Sequence, residues 1–276
     1  MAASFIFTAF AGRNTAFAPR LKRGAVLADV TSANIVGYST IDAPAAGRYI
    51  ALGAKFEKVG ADKAFTINDL ITIGKPKGAA SFGTNCDNIW LWNGEADGGL
   101  GAWEKYYYHI TKKGFCLKGS TTLATTPINN GDTVLFYRGS GAAATTMTLA
   151  GGVFELKGQK SYTGIKAGRY CFCSYPWPVA FKLNDLVKCQ GKPKGAASFG
   201  TNCDNVWVWD KEADSGLGAW AKYYYHITKK GYCLKGSTTV TDLEIPAGEG
   251  FLFYRGSGAV DETITFSGPD YVAPAQ

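Results

Sequence analysis

The sequence predicts an all-β protein built as two tandem β-sandwich or barrel-like domains related by internal duplication. Three observations carry that expectation. Residues 74–123 return at 191–240 with 42 of 50 positions identical, and FYRGSGA recurs at 136–142 and 253–259 at the same offset of 117. Self-similarity over such a length marks a repeated folding unit. The repeated stretches alternate side chains with the two-residue period of strands. Finally, 35 Gly, 15 Tyr, 16 Phe and 7 Trp stand against 2 Met and only 18% charged residues, a profile poor in helix formers and incompatible with disorder.

Along the chain, residues 1–30 read as a leader or N-terminal strand segment, 31–150 as a first β repeat domain and 151–276 as a second. Ala2–Ala11 resembles the apolar core of a secretory signal, and Ala-Phe-Ala at 16–18 and Val-Leu-Ala at 26–28 offer small-residue cleavage positions. Arg13 follows the apolar run instead of preceding it. Secretion to the cell exterior or cell surface is the expected location. No apolar run reaches the ~18 residues of a membrane span.

Tyr49–Leu52 follows a Gly47-Arg48 turn and reads as a strand. The segments Ile67–Ile71 and Leu183–Val187 carry the only helical turns expected, each started by an Asn-Asp pair. In Asn88–Trp92, Ile89 and Leu91 face one way while Trp90 and Trp92 face the other. In Trp103–Ile110, Trp103, Lys105, Tyr107 and His109 share a face opposite Tyr106, Tyr108 and Ile110. Asn93-Gly94, Lys113-Gly114 and Lys118-Gly119 punctuate these runs as turns, and Val134–Arg138 makes a further strand. Between copies, Ile89 becomes Val206, Leu91 becomes Val208, Phe115 becomes Tyr232 and Leu123 becomes Val240. Such shape-keeping exchanges mark core positions. Asn93 to Asp210, Gly94 to Lys211 and Glu104 to Ala221 change polarity and mark solvent.

Seven cysteines leave an odd thiol. Cys86 and Cys116 are spaced as Cys203 and Cys233 are, so one disulfide inside each unit is the economical expectation, worth roughly 3–4 kcal/mol on the chain-entropy model. Free buried thiols, or a metal held by Cys86, His109 and Cys116, are the alternatives; that set is one ligand short of a structural zinc site. Cys171, Cys173 and Cys189 occur only in the second unit, in place of Ile50, Leu52 and Ile73, as small hydrophobes do.

No nucleophile elbow, zinc-protease helix, phosphate loop or dinucleotide fingerprint occurs, and the two histidines sit in the duplicated YYYHI. The expectation is therefore a protein that is not an enzyme and has no cofactor and no metal. The paired carboxylates Glu95 and Asp97, matched by Glu212 and Asp214, lie in Gly-rich turns. The net charge of +7 is spread over lysines at turns, without a nucleic-acid motif. Trp90, Trp92, Trp103 and Tyr107, with Trp207, Trp209, Trp220 and Tyr224, are the candidate site residues, as glycan-stacking platforms or as interface aromatics.

SANIVGY at 32–38, AGRY before an apolar strand, LNDL at 183–186, the WxW and Tyr-rich strands and IPAGEGFLFYR at 245–255 together resemble one family. It is that of secreted, β-rich tandem-repeat proteins of unknown activity from the Planctomycetes–Verrucomicrobia group of bacteria. The resemblance covers about residues 31–270. The Asn-Asn-Gly-Asp at 129–132 departs from its Pro-Ala-Gly-Glu turn. It implies export and a surface role, and transfers no catalytic residue.

The functional expectation is a non-enzymatic extracellular structural subunit that self-assembles into a filament, sheath or surface layer. Its partner would be other copies of itself, docked by surplus aromatic surface or by adding Ser4–Phe10 or Asn34–Thr40 to a neighbour's sheet edge. The alternative is a carbohydrate-binding or adhesive module with two equivalent aromatic sites and a polysaccharide partner.

Overall fold

The computed structural model describes residues 36–59, 65–99, 101–153, 158–216 and 218–269, so the leader at 1–30, with Ser4–Phe10, lies outside it. The strands that organise the first unit are β1 (Val36–Asp42), β2 (Tyr49–Gly53), β3 (Asn88–Asn93), β4 (Ala102–His109), β5 (Gly114–Leu117), β6 (Thr133–Tyr137) and β7 (Thr146–Val153). Those of the second are β8 (Gln159–Ile165), β9 (Tyr170–Ser174), β10 (Asn205–Asp210), β11 (Ala219–His226), β12 (Gly231–Leu234), β13 (Gly250–Tyr254) and β14 (Glu262–Ser267). The all-β class holds. Each unit contains a five-stranded antiparallel sheet, ordered β2-β6-β3-β4-β5 in the first and β9-β13-β10-β11-β12 in the second.

The two-residue alternation decides what each face of these sheets carries. Across the first sheet, Phe136 is opposite Ile89, Ile89 opposite Tyr106 and Tyr106 opposite Leu117; all but Leu117 are buried. This row meets a second layer, where β7 pairs with β1, Phe56–Glu57 and Thr72–Ile73, and delivers Met147 and Leu149 to a core shared with Phe56, Phe65 and Ile67. The second unit repeats the plan with Phe253, Val206 and Tyr223 packed against Ile264 and Phe266 of β14, which pairs with β8. Each unit is thus a small β-sandwich. Of the segment Asn34–Thr40, residues 34 and 35 lie outside the described residues, and Val36–Asp42 is already paired along its length with β7, so its hydrogen-bonding edge on that side is occupied within the chain.

The helical turns expected at the Asn-Asp pairs are a hydrogen-bonded turn at 67–70 and, in the second unit, a 3-10 turn at Leu183–Asp185 followed by Leu186–Cys189. Their asparagines do something else. Asn68 Oδ1 accepts from Phe115 N at 2.6 Å while its Nδ2 donates to Phe115 O at 3.2 Å and Ala124 O at 2.8 Å. The side-chain amide thus occupies the outward backbone groups of the edge strand β5. Asn184 binds Tyr232 N at 2.7 Å and Thr241 O in the same way on β12. An edge so covered is protected from pairing with another chain.

The units join through the opposite faces of their five-stranded sheets, about a pseudo-two-fold relation. Gly53 N donates to Gly248 O at 2.7 Å, and Ser174 N to Gly131 O at 3.2 Å; Leu52 is bridged to Glu249 and Asp132 to Cys173. Lys55 is buried and crosses the boundary, donating to Ser39 Oγ at 3.0 Å and Ala247 O at 3.4 Å, and desolvation pushes its ammonium below the usual lysine range. Burial pushes the carboxyl of Glu249 up, against a smaller opposing pull from Lys211.

A carboxyl raised in the folded state favours folding when protonated, and that contribution is lost as pH rises through its folded value. Glu249→Gln is therefore expected to raise the melting temperature at neutral pH. The gain should vanish below about pH 4, where the carboxyl is neutral in both states. Thermal melts of both proteins across that range check this, and an equal gain at both ends would refute it.

Candidate functional site

The candidate aromatics lie on the face of each sheet turned away from its own core, and most of them face the other unit. Ala51, Leu135, Phe172 and Leu252 form the buried centre of this contact, ringed by Tyr49, Trp90, Trp92, Trp103, Tyr170, Trp207, Trp209 and Trp220. Cross-strand register sets the arrangement. Trp92 lies opposite Trp103 and Trp209 opposite Trp220, each pair with ring centroids 5.1 Å apart and nearly perpendicular. Trp92 then meets Tyr170 and Trp103 meets Phe172 across the boundary, while Trp209 meets Tyr49. These edge-to-face contacts suit the ring quadrupoles.

The indole N–H groups make the contact directional. Trp92 Nε1 donates to Tyr170 O at 3.2 Å, and Trp209 Nε1 to Tyr49 O at 3.1 Å. Trp90 and Trp207 are instead capped by the lysines across from them in register, with Lys105 Nζ 4.2 Å and Lys222 Nζ 4.1 Å from the ring centroids. Their own Nε1 atoms are buried without a hydrogen-bond partner, in both units, each ring standing edge-to-face with Tyr49 or Tyr170. The tight turn entering β4 belongs to the same design. Gly101 has φ +86, and a Cβ there would sit 2.2 Å from Trp92 Cζ2; Gly218 does the same beneath Trp209.

Tyr107 and Tyr224 sit elsewhere on that face. Each is buried under its own unit's 79–86 or 196–203 segment, and donates its hydroxyl to Ser120 O or Ser237 O, both at 2.9 Å. Cys86 and Cys116 complete the first of these clusters and Cys203 and Cys233 the second. Here the disulfide expectation is corrected: all four are free, buried thiols. In each unit one of the two thiols is engaged with loop carbonyls. Cys116 pairs in register with Tyr107, while Cys86 Sγ is turned to the loop carbonyls, 3.4 Å from Gly83 O, as Cys203 Sγ is to Gly200 O. Desolvation pushes all four thiols up, keeping them protonated and unreactive. Cys171, Cys173 and Cys189 are also free and lie with the second core, where burial pushes Cys189 up to about 11.

Sequence reasoning missed the residues that hold the 75–87 segment. Asp87 is fully buried and accepts from Arg138 Nη1 at 2.5 Å, Lys77 N at 2.8 Å and Gly139 N at 2.9 Å. Asp204 and Arg255 repeat this at 2.7 Å, with Glu262 added at 3.3 Å from Arg255. The signal was available: both Asp–Arg pairs are separated by the same 51 residues, inside the identical blocks. The histidines close turns. His109 Nδ1 accepts from Thr111 N and Lys112 N, and His226 Nδ1 from Lys229 N. Glu95, Asp97, Glu212 and Asp214 are exposed on turns, and no group of three or more His, Cys, Asp or Glu among the described residues could hold a metal. No helix among the described residues is long and apolar enough to cross a membrane.

Fold and site together define a tandem β-sandwich protein whose tryptophan-rich faces are turned on one another. Compared with protein-family models, curated proteins and solved structures, the chain matches none.

Thiol titration of unreduced, fully denatured protein is expected to count seven reactive cysteines. A count of three would restore a disulfide in each unit.

Proposed function

We propose that the chain is a non-enzymatic extracellular structural subunit that self-assembles, each unit offering one equivalent contact surface to another copy. The reading rests on a single observation about exposed apolar side chains. Ile110, Leu117 and Leu123 are 58%, 43% and 44% exposed, and their equivalents Ile227, Leu234 and Val240 are 57%, 45% and 40% exposed. These six lie on the β4–β5 and β11–β12 hairpins and the segments bridged to them, away from the tryptophan contact. An isolated exposed leucine needs no explanation, but the same three in both units is a repeated surface feature.

The tryptophan faces supply a closed contact between two similar surfaces, and closed contacts end growth. Growth would have to use the hairpin ends. A body with two equivalent, self-complementary patches links into an open chain, whereas one with a single patch stops at a dimer. The covered edges of β5 and β12 direct such contacts to side chains. The glycan-binding alternative is the weaker proposal, because the indole N–H groups of Trp92 and Trp209 are already spent on the backbone of the opposite unit.

Sedimentation velocity and electron microscopy of the full-length protein test the reading. The parent is expected to form concentration-dependent linear assemblies. Ile227→Lys alone should stop at dimers, and Ile110→Lys with Ile227→Lys should leave monomers. A parent that stays monomeric throughout its soluble range would overturn it.

A further inference from the structure

The lysines that the sequence scatters over glycine turns are gathered by the fold. Ile110 N donates to Ala79 O and Ala79 N to Tyr108 O, both at 3.1 Å, which lays the 75–79 segment against the β4–β5 turn. Lys75 and Lys77 thereby come beside Lys112 and Lys113, and Pro76 and Lys113 wall the same surface hollow. Lys118, just past β5, reaches back over this segment with its Nζ 5.4 Å from the Phe82 ring centroid. All but Lys77 are exposed. The second unit repeats the arrangement. Ile227 N donates to Ala196 O at 3.1 Å, Lys192, Lys194, Lys229 and Lys230 take the same places, and Lys235 Nζ lies 5.2 Å from the Phe199 centroid.

No carboxylate neutralises these groups. Residues 74–86 and 105–123 contain no Asp or Glu, nor do residues 191–203 and 222–240. None of these lysines is ion-paired with a carboxylate among the described residues. Asp87 and Asp204 are buried and committed to Arg138 and Arg255. Asp69 and Asp185, on the turns beside the hairpins, are held by Lys58 and Lys188. Lys77 and Lys194 each donate one N–H to a carbonyl, Ser140 O or Ser257 O at 2.8 Å, and keep further donors.

We infer that the lysine end of each unit binds an acidic polysaccharide, with the carboxylates of the chain lying along Lys75, Lys112 and Lys113 or their counterparts. A fixed cluster of like charges is screened by small ions, and a polyanion releases those ions when it binds, so affinity falls steeply with salt. The residue types favour a saccharide over a nucleic acid. The cluster is all lysine, a hydrated point charge, while Arg138 and Arg255 are buried and cannot fork onto phosphates. Lys118 and Lys235 cap Phe82 and Phe199, which leaves bases little to stack on. In the second unit Asp242 and Glu244 stand exposed where the first has Thr125 and Pro127, just past Thr241, whose N–H donates to Tyr232 O. They oppose an anion there, so the first site is the tighter of the two.

Calorimetric titration of the full-length protein with an alginate hexasaccharide tests this. It is read at protein concentrations below self-association, so its outcome is separate from that of assembly. One hexasaccharide is expected to bind each unit, more weakly as salt rises, and the neutral maltohexaose should not bind. Lys75→Gln with Lys112→Gln should weaken the tighter site by up to about 25-fold, at up to about fivefold for each exposed ion pair. Lys192→Gln with Lys229→Gln should do the same at the weaker site. Lys211→Gln, on the β10–β11 turn at the opposite end of the sheet, should change neither. Absence of saturable hexasaccharide binding by the parent at low salt would overturn the assignment. So would an equal loss in Lys211→Gln, the mark of a diffuse charge effect, or tighter binding of a thymidine hexanucleotide, which would give the face to nucleic acid.

Discussion

The rest of the molecule depends on the need to cover the tryptophan face of each five-stranded sheet. A sheet bearing Trp90, Trp92, Trp103, Tyr49 and Leu135 on the side away from its own core has large apolar area and only a few lysines to shield it. Burying such rings is among the largest favourable terms available to a domain of this size. The nearest surface of matching shape is the same surface on the second unit. Two such faces cover one another, and the reciprocal bonds from Trp92 to Tyr170 O and from Trp209 to Tyr49 O fix their register. The backbone contacts at Gly53–Gly248 and Ser174–Gly131 lie at the other ends of the same two strands, β2 and β9, and hold the faces at both ends.

This contact also explains what could and could not be read from the sequence. The alternation in Asn88–Asn93 and Ala102–His109 correctly separates Ile89 and Tyr106 from Trp90, Trp92 and Trp103, because a strand's geometry is local. It carries no information about what lies opposite the outer face. Surplus aromatic surface was therefore legible, and its partner was not: the covering face begins more than sixty residues away, at Tyr170. The cysteines illustrate the same limit. Equal spacing of Cys86–Cys116 and Cys203–Cys233 reports that the two units are alike. It does not report which way a thiol points, and the pairing of Cys116 with Tyr107 together with the turn of Cys86 toward Gly83 O makes the spacing a by-product of the sheet.

Asn68 and Asn184 show a different kind of misreading. An Asn-Asp pair before an apolar residue is a sound local signal for a helical turn, and short turns do form there. The asparagine side chain nevertheless reaches 47 residues along the chain to Phe115 and satisfies a strand edge. A short polar side chain with both a donor and an acceptor can replace a missing strand partner at one residue. Only the tertiary structure decides which of the two roles it takes. The buried Asp87–Arg138 pair belongs with it, since each partner looks ordinary in its own loop. Its buried carboxylate is served by one guanidinium and two backbone amides, the arrangement a buried charge requires.

Two units of near-identical sequence can differ wherever their shared contact is not touched. The tryptophans of this face are the same in both units, while its buried centre has Ala51 in one and Phe172 in the other. The hairpins and the segments bridged to them differ at Glu104/Ala221, Phe115/Tyr232 and Leu123/Val240, and the segments beside them differ further. There the second unit has Gln190 and the Tyr232 hydroxyl, and Arg255 a second carboxylate in Glu262, where the first unit has Phe115. A chain whose halves are locked together at one end and differ at the other can combine one rigid scaffold with two unequal surroundings. The equivalent exposed hairpins and the unequal interiors behind them are therefore compatible features of the same architecture: the first follows from what the units share, the second from Gln190, Tyr232 and Glu262, where their chains differ.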